Sequence, residues 1–221
     1  MRKVIFFDLD DTLYPRSAQL MRMIGERITD YIIHTIGIPA DQADAARRRW
    51  RSRYGTALRG LIEEGYRFDL DDFFRYVHDI PLGHVAPDPE LRAMLLRLPL
   101  RRVVLTNSNI EHADRVLAHL QIADCFERVI DIRALGLINK PDPRAYALAL
   151  QMVGVSAGEA ILVEDTPANV APARALGMTT ILVDCSPGSA DAARDADFYA
   201  PDILGVESIV AELLLSSVSK L

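Results

Sequence analysis

Five short apolar runs, each ending in polar residues, mark the pattern along the chain. The first is VIFF at residues 4–7, and Asp8, Asp10 and Asp11 follow it almost at once. The other four runs lie in the segments 102–109, 127–132, 160–167 and 179–186. They are rich in β-branched residues and too short for helices, so the pattern predicts five buried strands.

Helical periodicity occupies the intervals between these strands. Apolar residues recur at i, i+3, i+4 and i+7 in the segments 91–98, 113–120 and 146–153. Continuous apolar strands that alternate with helices are typical of a parallel sheet covered on both faces. We therefore predict an α/β fold with three layers, α/β/α.

One interval breaks this alternation. Residues 15–87 contain helical patterns, interrupted by glycines and prolines, and no convincing strand. We interpret this interval as a helical insert between the first strand and the rest of the sheet. The predicted organisation is a core domain of residues 1–14 and 88–221 and an inserted helical domain of residues 15–87.

Composition and charge narrow the possible partners. The 221 residues carry a formal net charge of −6, which disfavours binding to a nucleic-acid polymer. The arginine-rich segment 47–53 follows Asp41 and Asp44 and is interpreted as a solvated helix face. No apolar run approaches the ~20 residues of a membrane span, and no signal peptide is recognisable. We expect a soluble cytoplasmic protein without a membrane partner, in which Cys125 and Cys185 are reduced, packed thiols.

Polar residues with complementary chemistry follow the strands. If the strand ends converge, one rim gathers Asp8, Asp10, Thr106, Asn107, Ser108, Lys140, Glu164 and Asp165. Several carboxylates without nearby His or Cys ligands favour Mg²⁺ over zinc. An ammonium group and hydroxyl donors beside such an ion suit a phosphoryl group, so we predict a site for a small phosphorylated metabolite.

The spacing of the first two acids suggests different roles for them. We predict that Asp8 attacks phosphorus as an ionised nucleophile. We predict that Asp10 acts as general acid and base, with a pKa raised by its carboxylate neighbours. The five histidines, including His112, show no ligand spacing and are interpreted as surface or packing residues.

Four segments in this order resemble the motifs of the haloacid dehalogenase superfamily of phosphohydrolases: DLDDT, LTNS, NKPDP and VEDTPANV. The resemblance implies a Rossmann-like core and an aspartyl-phosphate formed on Asp8. It implies Mg²⁺ held by Asp8, the Asp10 carbonyl and Asp165, with Glu164 reaching the ion through water. It also implies that Thr106 and Lys140 bind phosphoryl oxygens, and it places Asn169 at a supporting position that a helix cap explains equally well.

The insert lies where this superfamily places a helical cap that closes over the substrate. The segments DLDDTLYP, RYGTALRGL, FFRYVHDIPL and PDPELRAMLLRLP are similar to the pyrimidine 5′-nucleotidase branch. That similarity implies nucleoside monophosphates, such as UMP and CMP, as substrates. Within the insert, Tyr54 and Arg59 are our candidates for contact with a base or a second charge, and Asn107 and Ser108 are our further candidates for substrate binding.

The residues alone are compatible with other functions. A phosphatase or phosphomutase of small sugar phosphates would use the same scaffold. A dehalogenase is disfavoured because its chemistry needs neither a metal nor Asp10 as an acid. A phospho-aspartate signalling domain or a non-catalytic binding domain is the alternative of another class, although signalling receivers carry their phosphorylated aspartate on a later strand than their acidic pair.

Overall fold

The structure is a computed structural model that describes residues 2–183 and 195–218. The predicted packing of Cys185 lies outside the described residues. The chain divides into two compact units, a core unit of Met1–Pro15 with Val85–Leu221 and a helical unit of Arg16–His84. The sequence-based division, after residues 14 and 87, falls close to these bounds.

The described part of the core unit contains one sheet of six parallel strands in the order β3-β2-β1-β4-β5-β6. The strands are β1 (Val4–Phe7), β2 (Arg101–Leu105), β3 (Arg128–Ile130), β4 (Ala160–Glu164), β5 (Thr179–Val183) and β6 (Phe198–Ala200). The predicted parallel α/β core is confirmed. The sixth strand was not predicted, because Phe198–Ala200 contains no β-branched residue and forms no apolar run of the kind that marks the other strands.

Helices cover the sheet. They are α5 (Pro89–Arg97), α6 (Ile110–His119), α7 (Pro143–Val153), α8 (Pro167–Ala175) and α9 (Val206–Val218). The β1 residues Val4 and Phe6 belong to the same buried cluster as Ala145 and Ala149 of α7. Every residue of β1 is fully buried, as expected for the central strand of a sheet covered on both faces.

Local sequence signals fix where α7 begins. Asp142 is its N-cap residue and accepts a hydrogen bond from the Arg144 N–H, and Pro143 occupies the first turn. The chain therefore turns into a helix immediately after Lys140. This short connection determines where the lysine side chain starts.

The helical unit contains α1 (Leu20–Tyr31), α2 (Ala40–Tyr54), α3 (Ala57–Glu63) and α4 (Leu70–Val77). A π-helical turn, Ile32–Ile36, continues α1 up to Gly37, whose φ of 84° ends the helix. Arg47 and Arg48 form ion pairs with Asp44, and Arg49 forms one with Glu64, so part of the positive charge of α2 is offset locally. No helix within residues 2–183 and 195–218 has both the length and the apolar character needed to cross a membrane.

Gly60 is required by the packing of α3 against α2. A Cβ atom at residue 60 would lie 2.2 Å from Cγ and 2.3 Å from Cβ of Trp50, a fully buried side chain. These atoms are close to the backbone and cannot rotate away, so Gly60→Ala is expected to destabilise the protein by about 1–3 kcal/mol. Urea unfolding followed by tryptophan fluorescence measures the loss. Gly83→Ala in the same unit is the control, because its added Cβ meets nothing within 4 Å; equal stability of the two variants would contradict the prediction.

Candidate active site

The predicted site residues of the core unit meet at the carboxyl end of the central strands. Phe7, the last residue of β1, is in register with Val104 of β2 and Val163 of β4. The Asp8 N–H donates a hydrogen bond of 2.9 Å to the Val163 carbonyl, which extends the β1–β4 pairing by one residue. The side chains that follow these three strands therefore begin at neighbouring positions.

Lys140 lies at the centre of this region with 1% of its side chain exposed. Its Nζ donates hydrogen bonds to Asp8 Oδ1 at 2.7 Å, to Glu164 Oε1 at 2.9 Å and to the Leu105 carbonyl at 2.9 Å. Burial by itself would lower the pKa of Lys140, but the two carboxylates raise it above its ordinary value. The carboxylates therefore favour the charged form of the ammonium group, and three acceptors hold it in place.

Asp8 shares this ammonium group with other acids. Burial raises the pKa of Asp8 well above its ordinary value; Lys140 opposes the shift, and Glu164 and Asp165 add to it. The hydroxyl of Thr12 lies 3.4 Å from Asp8 Oδ2. One positive charge thus faces more than one carboxylate, so the site has an excess of negative charge.

Three carboxylates in this region are arranged as potential metal ligands. Oxygens of Asp8, Glu164 and Asp165, all buried, lie within 4.8 Å of one another. Glu164 Oε2 accepts a 2.6 Å hydrogen bond from the Thr166 N–H, and its Oε1 accepts one of 2.6 Å from Asn169 Nδ2. Asn169 therefore orients an acid of this group, as the family resemblance implied. We call Asp8, Lys140, Glu164 and Asp165 the Asp8 cluster.

Asp10 has a separate set of partners. Its Oδ1 accepts a 2.7 Å hydrogen bond from the Tyr14 hydroxyl and lies 2.9 Å from His112 Nε2. Its Oδ2 accepts a 2.6 Å hydrogen bond from the Ser108 hydroxyl. Burial would raise the pKa of Asp10, but His112, Ser108 and Tyr14 together hold it below its ordinary value. The prediction of a raised pKa was wrong, because these three partners outweigh the effect of burial.

Two functional candidates were therefore missed or misassigned from the sequence. His112 is a buried partner of Asp10, and the interpretation as a surface or packing residue was incomplete. Tyr14 received no role, although it stands four residues after Asp10. Neither residue belongs to a motif of ligand spacing, and the contact of His112 spans 102 positions of the chain, so periodicity alone gives no signal for it.

The loop after β2 holds the site together. Thr106 is buried, and its Oγ1 accepts a 3.0 Å hydrogen bond from the Ser108 N–H. Asn107 Oδ1 accepts a 2.8 Å bond from the Lys140 N–H, and Asn107 Nδ2 donates a 3.0 Å bond to the Lys140 carbonyl. Asn107 and Ser108 thus position Lys140 and Asp10. Their assignment to substrate binding stays a prediction.

Tyr54 and Arg59 belong to the helical unit, so the Asp8 cluster does not include them. The Arg53 guanidinium lies 5.0 Å from the centre of the Tyr54 ring. Arg59 forms an ion pair with Glu63 one turn further along α3. Their assignment to substrate binding stays a prediction.

The chain is similar to a known family and to several known proteins. The family profile described as haloacid dehalogenase-like hydrolase matches residues 2–177. The chain is 28% identical over 196 residues to Phosphate metabolism protein 8 of Saccharomyces cerevisiae, covering 82% of this chain and 61% of that protein. It is 30% identical over 196 residues to a glyceraldehyde 3-phosphate phosphatase of Pyrococcus abyssi, covering 82% and 81%. The crystal structure of a 2-haloacid dehalogenase from Pseudomonas syringae is similar, with a TM-score of 0.63, 25% identity and coverage of 96% and 100%.

Proposed function

The chain belongs to the haloacid dehalogenase-like hydrolase family, and from this premise we propose that it is a Mg²⁺-dependent phosphatase of small phosphomonoesters. One observation carries the proposal. The Asp8 cluster combines a buried ammonium group with three carboxylates directly beyond the central strand. Such a cluster offers an anionic nucleophile, ligands for a hard cation and a fixed positive charge for a phosphoryl oxygen.

The residues present fit Mg²⁺. The ion prefers oxygen ligands, and Asp8, Glu164 and Asp165 supply carboxylates close enough to share one ion. Burial, and after it Glu164 and Asp165, raises the pKa of Asp8, and a divalent cation would oppose that rise by stabilising the carboxylate. We propose that Asp8, the Asp10 carbonyl and Asp165 hold Mg²⁺ and that Glu164 supports it. When bound, the ion would neutralise part of the negative charge on the phosphoryl group.

The proposed reaction has two steps. In the first, an Asp8 carboxylate oxygen forms a bond to phosphorus and the bond from phosphorus to the ester oxygen breaks. Asp10 gives a proton to that oxygen, and it must take up this proton beforehand, because its partners favour the ionised carboxylate in the free protein. In the second, water attacks the phosphorus of the aspartyl-phosphate, Asp10 takes a proton from the water, and phosphate leaves Asp8. Lys140 and Thr106 stabilise the phosphoryl oxygens in both steps.

Two substrate classes have separate support. The similarity of four segments to the pyrimidine 5′-nucleotidase branch favours nucleoside monophosphates. The relative from Pyrococcus abyssi is named for glyceraldehyde 3-phosphate, which favours small sugar phosphates. We propose that the helical unit acts as the cap that selects between these classes, with Tyr54 and Arg59 as its candidate contacts.

A phosphate-release screen tests the proposal. The protein is incubated with UMP, CMP, glyceraldehyde 3-phosphate and other sugar phosphates in the presence of Mg²⁺, and inorganic phosphate is measured. We expect release from at least one substrate. Isomerisation of a sugar phosphate without phosphate release would indicate a phosphomutase, and halide release from 2-haloacids would indicate a dehalogenase. A stable phosphorylated protein without turnover would favour a signalling role.

Removal of the metal gives a second prediction. Treatment with a chelator is expected to lower the rate of phosphate release by at least about 100-fold, because the charge on the phosphoryl group is no longer neutralised. Addition of excess Mg²⁺ should restore the rate, whereas the same concentration of Na⁺ should not. Full activity after exhaustive chelation would contradict the assigned metal dependence.

A further inference from the structure

Three separate segments supply donors to the carboxylate of Asp10. Tyr14 comes from the turn after β1, Ser108 from the loop after β2, and His112 from the first turn of α6. Tyr14 and His112 contact Oδ1, and Ser108 contacts Oδ2. Since both oxygens are engaged from different directions, rotation of the carboxylate about its χ2 bond would break at least one of these contacts.

His112 is the least expected of the three donors. Its side chain is fully buried, and it precedes Ala113 in the stripe of α6 that packs into the core. A buried polar side chain costs free energy unless its polar atoms are satisfied, whereas an apolar residue would fill the same volume without that cost. The contact of 2.9 Å between Nε2 and Asp10 Oδ1 offsets the cost. The location of the imidazole is therefore explained by its contact with Asp10 and not by packing alone.

The two aspartates of the reaction are held by different partners. Asp8 takes its hydrogen bonds from Lys140 and Thr12, while Asp10 takes its bonds from Tyr14, Ser108 and His112. A group that transfers protons must meet the reacting oxygen at hydrogen-bond distance and in a suitable orientation. An error of about 1 Å in such an arrangement costs about 100-fold in rate.

We propose that His112 is a positioning residue of the hydrolytic reaction, which fixes the Asp10 carboxylate so that it faces the leaving-group oxygen and then the attacking water. The inference rests on the proposed phosphatase function. His112 touches neither the substrate nor the phosphoryl group in this proposal; it acts through Asp10. Its loss should therefore lower kcat and leave KM for the best substrate nearly unchanged.

A matched pair of substitutions separates the hydrogen bond from the side-chain volume. His112→Gln places an amide nitrogen near the position of Nε2, whereas the shorter amide of His112→Asn ends near the position of Nδ1. Both variants are polar and neutral. We expect His112→Asn to lower kcat by about 10–100-fold, the range typical of residues that hydrogen-bond to metal ligands. His112→Gln should retain kcat within about fivefold of the parent. KM should stay within about twofold in both.

A double-mutant cycle tests whether the effect passes through Asp10. In an Asp10→Asn background, His112→Asn should change the residual kcat by less than about twofold, because residues that act as a unit are non-additive. The controls are His119→Asn and His119→Gln at the other end of α6, where Nε2 lies 2.7 Å from the Val85 carbonyl. Both controls should keep the kcat of the parent, and circular dichroism verifies the fold of every variant.

Each outcome decides between the inference and its alternatives. An equal loss of kcat from His112→Asn with and without Asp10 would overturn the inference, and so would an unchanged kcat. If His112→Asn loses both kcat and its native circular dichroism spectrum, and His112→Gln has the same low kcat, then His112 has a structural role only. If the parent releases no phosphate from any substrate, the proposed function itself fails. This result comes from the parent alone, so it is distinguishable from a failure of the inference about His112.

Discussion

Replacement of Asp8 by asparagine is expected to abolish phosphate release, with kcat lowered by about 10⁴-fold or more. The amide of asparagine is too weak a nucleophile to form the aspartyl-phosphate. The protein should remain folded, because Lys140 keeps its hydrogen bonds to Glu164 and to the Leu105 carbonyl. Phosphate release under substrate saturation measures the effect.

A chemically identical change beside the site serves as the control. Asp11 is the third acid of the opening motif and has a φ of 61°, a conformation that asparagine tolerates well. Asp11→Asn should keep kcat within about fivefold of the parent. Acid quenching of the reaction with ³²P-labelled substrate should trap label on the parent and on Asp11→Asn, but none on Asp8→Asn. Label on Asp8→Asn would transfer the nucleophile to another residue and refute the assigned mechanism.

The sequence was sufficient to predict which residues lie at the carboxyl edge of the sheet. Asp8, Thr106 and Asp165 each follow an apolar strand directly, and parallel strands present their carboxyl ends at one edge. The four motifs also predicted the family, and the match of the haloacid dehalogenase-like hydrolase profile over residues 2–177 confirms it. Such predictions succeed because each depends on a few adjacent residues and one rule of topology.

The partners of Asp10 could not be predicted in this way. The helical period places His112 on a particular stripe of α6, but it does not say which side chain of another strand lies opposite. Donors that arrive from positions 98 and 102 residues away then determine the direction of the Asp10 pKa shift. Reasoning from sequence neighbours considered only the nearby carboxylates, and it therefore predicted the wrong sign.

The role of Asn107 shows a related limit. Its place after Thr106 suggested a ligand for the substrate, yet both polar atoms of its amide bind the main chain of Lys140. A side chain at a site can contact either the ligand or the residues that contact the ligand, and a motif does not distinguish these roles. Only the three-dimensional hydrogen bonds make that distinction.

Removal of the charge at Lys140 is expected to have the largest effect on stability. Lys140→Met keeps most of the side-chain volume but leaves Asp8 and Glu164 without their shared ammonium group in a buried environment. Breaking a buried ion pair by deleting one partner costs about 3–5 kcal/mol, because the remaining charge is neither solvated nor paired. We expect a loss of this size in the free energy of unfolding, measured by urea denaturation at constant pH without divalent cations. Phosphate release should be lost as well.

Lys3→Met provides the matched control for this substitution. Lys3 also forms an ion pair, with Glu159 at 2.5 Å, but 56% of its side chain is exposed, so water can solvate either charge when the other is removed. Its urea midpoint should stay close to that of the parent. A similar shift in both variants would mean that the buried charges of the Asp8 cluster relax or take up protons at little cost. In that case the ammonium group would not be the element that holds the cluster together, and the electrostatic basis of the proposed site would have to be abandoned.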